Sequence, residues 1–320
     1  MALMLTIDVR HPNVLDFINS KKDRTKVTGA NISVMLRDDF MEAVKNNKEY
    51  VLRFPCDATP EKADYTTTVN AKDIYDAIVE NAWENAEPGQ MFVDRHHEYS
   101  PDSSYPQYKG VTTNPCGEIF MQMYDACRLL AQNFYNIVVG HFTDKSQIDY
   151  DLLYQISYEM QRLADDIVDL ELEHIDRILE KIKSDPESDK IKQIEFDLWT
   201  NVRKVAMSSR RTGSGFTALG DMFAALNLKY DSDEALETLE KVMSTKMRAE
   251  LDCTTDLAIL RGTFEGWNVN NEFITIGGEW VGVNDFYQFI QDEFPEQAAR
   301  MRKYGRRNVS WSTVNGGLIQ

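Results

Sequence analysis

Thr112-Thr113-Asn114-Pro115-Cys116-Gly117-Glu118 is the stretch on which the reading of this chain turns, and Cys127 follows eleven residues after Cys116. The stretch sets an amide, a thiol and a carboxyl within five positions, held between a proline and a glycine. If Asn114 to Glu118 is extended, side chains at i, i+2 and i+4 point to one face. Asn114, Cys116 and Glu118 would then bring a hydrogen-bonding group, a sulfur and a proton acceptor to one volume, a layout for chemistry rather than packing. The competing reading is a small buried hydrophobe, the usual state of a free cysteine. Spacing alone leaves both open.

Composition narrows the class. With 320 residues, 42% hydrophobic and 11% aromatic, the chain can bury a sizeable core. Four cysteines are too few for a disulfide framework and point to a reducing compartment. The apolar start, Met1 to Asp8, lacks a basic region and a cleavage site, and reads as a strand. No apolar run approaches the ~20 residues of a membrane helix. The expectation is a cytoplasmic protein with no membrane partner. A formal charge of −17 argues against non-specific nucleic-acid binding, though not against a nucleotide as a small substrate. The basic run Arg300, Arg302, Lys303, Arg306 and Arg307 reads as a solvated face, with a phosphate site as the alternative.

Working outward from the motif, strands are expected at Leu3 to Val9, Asn31 to Met35, Val51 to Phe54 and Met91 to Asp94. Helices are expected over Val14 to Ile18, Phe40 to Asn46 and Asp73 to Asn85. Residues 57 to 70 and 96 to 110 read as loops. Alternation of this kind indicates a sheet with helical crossovers. Past the motif the chain turns helical. Leu153, Ile156, Met160, Leu163, Ile167 and Leu170 form an amphipathic stripe. Helices are also expected over Ile191 to Ser208, Phe216 to Leu226 and Glu234 to Thr254 or beyond, the last capped by Ser232 or Asp233. Gly213-Ser-Gly215 reads as a tight turn between helices, and Val309 to Val314 as a buried strand. No repeat or linker divides residues 1–320.

Two other clusters invite chemistry. Glu171 and His174 have the i, i+3 spacing of a carboxylate-bridged metal bundle, but no second copy exists in the chain. A helix-face histidine among solvated acids accounts for them better. His96-His97 lies near Asp94 and Glu98 without a complete ligand set. Cys56 and Cys253 read as structural.

The motif Asn114-Pro-Cys-Gly-Glu118 resembles the finger loop of the catalytic chain of ribonucleotide reductases. So do five further blocks, in the family's order. They are Asp8 to Lys21, Asn31 to Val44, Ala82 to Arg95, Arg210 to Ser232, and Arg261 to Phe264 together with Gly305 to Val314. The resemblance implies a helix-rich α/β fold, part of the family's ten-stranded barrel. It implies that Cys116 carries a thiyl radical that takes a hydrogen from the ribose. It further implies that Glu118 accepts the 3′-hydroxyl proton, that Asn114 hydrogen-bonds the ribose hydroxyls, and that Cys127 is one of two reducing cysteines. The eleven-residue gap and the block Arg306 to Val314 are most similar to the adenosylcobalamin-dependent class. A radical supplied by a di-iron small subunit is the alternative. The expected partners are a ribonucleotide, a thioredoxin-like reductant and further copies of the chain.

The chain also departs from the family. Arg128-Leu-Leu-Ala131 stands where the family has Asn-Leu-Gly-Ser, and Asn315 to Gln320 where it has Ala-Pro-Thr-Gly. Family chains are much longer, and the partner of Cys127 lies in their upstream part. Residues 1–320 therefore read as a partial catalytic barrel domain, cut at both ends. Such a chain would act once joined by the missing N- and C-terminal parts, or else serve as an inert remnant or interaction subunit of a split reductase.

Overall fold

Parallel strands joined by helices build both of the units into which this chain divides. The structure, a computed structural model, describes residues 3–23, 25–126 and 128–313. One unit comprises Met1–Tyr99 with Thr112–Pro115, the other Ser100–Val111 with Cys116–Gln320.

In the first unit β1 (Met4–Asp8) pairs in parallel with β2 (Asn31–Leu36), after the short helix α1 (Val14–Ile18). Helix α2 (Asp38–Lys45) begins with two acids at the positive end of its dipole. Strand β3 (Glu49–Phe54) pairs antiparallel with β4 (Tyr65–Asn70). Helix α3 (Ala71–Asn85) is capped by the Asn70 side chain, and β5 (Gly89–Phe92) returns to pair with β2. Helix α4 (Val93–Tyr99) and the two-residue strand β6 (Thr112–Thr113) complete this unit. Central β2 buries Ile32, Ser33, Val34 and Leu36, as a strand covered on both faces does. Val34 and Leu36 join Val14, Ile18, Phe40, Leu52, Ile74 and Ile78 in one core. At the carboxyl ends of the three parallel strands, Arg37 binds Asp8 at 2.7 Å and Asp94 at 3.0 Å.

The second unit contains β7 (Phe120–Met121), β8 (Leu129–Asn133) and the short antiparallel pair β9 (Val138–Val139) and β10 (Gln147–Ile148). Two long helices follow, α5 (Tyr150–Ser184) and α6 (Asp189–Ser209). Strand β11 (Gly213–Thr217) then pairs in parallel with β8, and Ser214 forms a parallel bridge to Ser312. Next come α7 (Leu219–Ala225), α8 (Asp233–Arg261), the hairpin β12 (Phe273–Ile276) and β13 (Glu279–Gly282), α9 (Asp285–Glu293) and α10 (Pro295–Tyr304). No helix among the described residues is long and apolar enough to cross a membrane.

Several expectations are corrected. Residues 57–70 hold a 3-10 turn and β4, which extends because β3 offers it a partner along its whole length. The strand expected at Met91 to Asp94 ends at Phe92, and His96-His97 lie on α4. Gly213-Ser-Gly215 is a buried strand, not a turn. The helix after it starts at Leu219, past Ala218 in the left-handed region. Only Ser312 of the expected strand Val309 to Val314 bridges to β11, and Val314 lies outside the described residues.

Helix α5 is the most instructive correction. Leu163 and Leu170 of the expected stripe are about half exposed. The buried face is Leu153, Ser157, Met160, Gln161, Ala164, Asp165, Val168, Ile175 and Ile182, a seam with polar residues at three of its nine positions. Each of these finds a partner. Ser157 donates to Gln132, and Gln161 donates to Thr212 and Asn308. Asp165, fully buried, accepts from Arg210 at 2.7 Å, from Asn308 at 3.0 Å and from Arg261 at 3.2 Å. Arg307 lies 3.4 Å from the same carboxylate. Burial pushes the Asp165 pKa up, but the Arg210 hydrogen bond and charge, with Arg307 and Asn308, outweigh it and hold the carboxyl below its usual range.

The basic run is divided: Lys303 is exposed, as a solvated face predicts, while its arginines are engaged by the protein. Arg306 is fully buried, paired with Glu272 at 2.8 Å and ringed by Tyr105, Phe264, Tyr287 and Trp311. Arg300 binds Asp252 and Asp256. A solvated face does not describe these arginines.

Removing one partner of a buried ion pair costs about 3–5 kcal/mol, against about 0–1 kcal/mol at the surface. Asp165→Asn should therefore lower urea-unfolding stability by about 3–5 kcal/mol, and Arg162→Ala, at an exposed pair, by less than about 1 kcal/mol. Because the Asp165 pKa is depressed on folding, its stabilisation is present above the unfolded value of about 3.9 and is lost as pH falls through the folded value. The gap between wild type and Asp165→Asn should narrow when unfolding is repeated below about pH 4.

Candidate active site

The motif is not a strand. Pro115 and Cys116 form a turn and Gly117 and Glu118 a bend, so the one-face argument from extended geometry does not hold. Its residues are also divided. Asn114 and Pro115 belong to the first unit, Cys116 to Glu118 to the second.

In the first unit the approach to the turn is fixed by the sheet. Thr112 Oγ1 donates to Thr6 Oγ1 at 3.3 Å, and Asn31 Nδ2 donates to the Pro115 carbonyl at 2.9 Å. Thr6 lies on β1 and Asn31 starts β2, so the loop is tied to the edge of those strands. Asn114 itself is partly buried.

In the second unit Cys116 is exposed. Gly117 follows with φ +84° and open space around it, a conformation that disfavours any residue with a side chain. Glu118 is partly buried, and its Oε2 atom is buried without a hydrogen-bond partner. A buried carboxylate oxygen left unpaired is costly and is an acceptor ready for a donor. The Glu118 carbonyl is held by Thr313 Oγ1 at 3.0 Å. Beneath it, a Cβ on Gly213 would come within 3.2 Å of Leu129, Ile119 and Thr313 side-chain atoms. Glycine there lets the residue after Glu118 settle onto β11.

Cys127 lies outside the described residues. Its neighbour Arg128 is buried, bonded to Glu171 and, through Nη1, to the Arg211 carbonyl at 2.8 Å. Glu171 is thus the partner of an arginine, and His174 is exposed. Among the described residues no group of three or more His, Cys, Asp or Glu side chains converges to hold a metal. Cys253 is fully buried, and burial pushes its thiol pKa well up. Cys56 is partly buried, with its thiol pKa raised for the same reason.

The sequence offers Asn114, Cys116 and Glu118 as candidates but not the groups that shape the turn, Asn31 on the Pro115 carbonyl, Thr313 on the Glu118 carbonyl, and Gly213 against Ile119. All three sit inside the blocks that carry the family resemblance, so the signal was present without its pairing.

The family described as "Ribonucleotide reductase, barrel domain" matches residues 1–315. The vitamin B12-dependent ribonucleoside-diphosphate reductase of Thermoplasma acidophilum is 30% identical over 280 residues, covering 87% of this chain and 31% of that protein. Its namesake from Mycobacterium tuberculosis is 25% identical over 264 residues, covering 82% of this chain and 33% of that protein. The chain therefore spans about a third of the length of these curated relatives. Among solved structures, the alpha subunit of an Actinobacillus ureae class Id ribonucleotide reductase superposes with a TM-score of 0.60 over 98% of this chain and 45% of its own. At 14% identity that likeness speaks for the fold alone. Parallel strands with helical crossovers and a match along nearly the whole length agree: the chain belongs to the ribonucleotide reductase barrel-domain family.

Proposed function

We propose that this chain is the central, radical-bearing part of a ribonucleotide reductase, converting a ribonucleotide to its 2′-deoxy form once the remaining parts of the enzyme are present. The observation that carries the reading is the pairing of an exposed thiol, Cys116, with a buried, unpartnered carboxylate oxygen two residues on, at Glu118. In this reading the Cys116 sulfur, as a thiyl radical, takes the hydrogen from the ribose C3′. Glu118 Oε2 accepts the 3′-hydroxyl proton, as a general base must within hydrogen-bond reach. Asn114 holds the ribose hydroxyls. The 2′-hydroxyl leaves as water, and Cys127 with a second thiol from elsewhere in the assembled enzyme supplies two protons and two electrons by closing a disulfide, one proton completing the water and the other reaching C2′. Cys116 then returns its hydrogen to C3′ and is again a thiyl radical, Glu118 gives its proton back to the 3′-oxygen, and a thioredoxin-like protein reduces the disulfide.

The names of the first relatives favour adenosylcobalamin as the radical source. Cys116 is the residue that would face it, and its exposure fits a radical delivered from outside the protein. When bound, that group supplies the oxidising equivalent that converts the Cys116 thiol to a thiyl radical. Reducing-cysteine chemistry and the low cysteine content agree with a cytoplasmic setting.

The test is to combine this chain with the missing N- and C-terminal parts, supplied from a relative such as the Thermoplasma protein, and assay deoxynucleotide formation with adenosylcobalamin. Reduction should appear in the mixture, fall to background with Cys116→Ser, and drop about 10²–10⁴-fold with Glu118→Gln. Folded mixtures that never reduce a nucleotide would sink the proposal. In the isolated chain, iodoacetamide followed by mass spectrometry should label Cys116 readily and leave Cys253 unlabelled.

A further inference from the structure

Lys246 and Glu250 stand one turn apart on α8, 1% and 0% exposed, and no step of the proposed reaction uses them. An ammonium so deeply buried is tolerated only if its donors are satisfied. Here all three are spent. Lys246 Nζ donates to the Ser214 carbonyl at 2.9 Å, to Ser312 Oγ at 2.9 Å and to Glu250 Oε1.

Two of those acceptors are not on α8. Ser214 lies on β11, and Ser312 on the segment that bridges to it. The Ser214 N–H donates to the Trp311 carbonyl at 2.7 Å, and the Thr313 N–H to the Ser214 carbonyl at 3.2 Å. The ammonium therefore pins the point where that segment meets β11. The next residue is Thr313, whose hydroxyl holds the Glu118 carbonyl. On the other side of Glu118, Gly117 has a positive φ and open space, so the loop gives Glu118 little support from that direction.

We infer that Lys246, paired with Glu250, is a positioning residue for Glu118, acting through Ser312 and Thr313 from inside the second unit. The functional meaning rests on Glu118 as proton acceptor, but the geometry can be tested without that assumption. In the full chain labelled with ¹³C-glutamate, the Glu118 backbone carbonyl resonance is assigned by its loss in Glu118→Gln. Thr313→Val marks where the resonance moves when the hydrogen bond is gone. The double variant Lys246→Met/Glu250→Leu, which removes both buried charges, should move the resonance to the Thr313→Val position, and Lys246→Arg should keep it near wild type. Ser312→Ala leaves the buried pair intact and should move it part of the way. If circular dichroism shows that the double variant does not fold, Ser312→Ala decides. A resonance unmoved in Thr313→Val, in the folded double variant or in Ser312→Ala overturns the inference. Unaltered nucleotide reduction by Glu118→Gln is a separate result, which removes the base role and leaves the positioning geometry standing.

Discussion

A single buried carboxylate organises the second unit. Asp165 receives the residue after α6, the end of α8 and the segment Arg306–Thr313, through Arg210, Arg261, Arg307 and Asn308. Apolar packing alone would let these segments slide, because it has no direction. Charge-assisted hydrogen bonds have both distance and angle, and here they fix register between segments far apart in sequence. Arg211 repeats the arrangement, fully buried between Asp102 and Asp125. Burial alone would lower its pKa, but the two carboxylates raise it instead.

The candidate site inherits its geometry from that frame. Asn308 is held by Asp165 and Gln161, and the chain then runs through Val309 and Trp311, both buried, to Ser312 and Thr313. Glu118 hangs from Thr313 by its carbonyl, while its carboxylate keeps one buried oxygen uncommitted. One carbonyl anchor and one unsatisfied acceptor leave Glu118 held at its backbone and open at its side chain.

Much of this was legible in the residues, for identifiable reasons. Strands β1 and β2, and helices α1, α6 and α8, follow from β-branched runs, apolar periodicity and caps such as Ser232, all of them local signals. The motif exposed Cys116 and Glu118 because thiol and carboxyl are uncommon so close together. What stayed hidden depended on distant partners. Thr313 meets Glu118 across 195 positions and Asn31 meets Pro115 across 84, and neither pairing leaves a mark in spacing. The seam of α5 departs from an apolar stripe, whereas hydrophobic periodicity assumes an apolar inside. Ser157, Gln161 and Asp165 are inside because their partners are there too. Arg306 misled for the same reason, since a run of arginines ordinarily lies in water.

Substitutions along α5 should therefore differ sharply in cost. Leu163 and Leu170 can change with little consequence, being half exposed. A change at Asp165 alters the surroundings of residues on three other segments at once, so a lone replacement passes through an intermediate with orphaned charges. Positions 165, 210, 261, 307 and 308 should therefore change together rather than singly. Descendants of this chain would be expected to keep the set intact or exchange it wholesale, with few halfway sequences surviving.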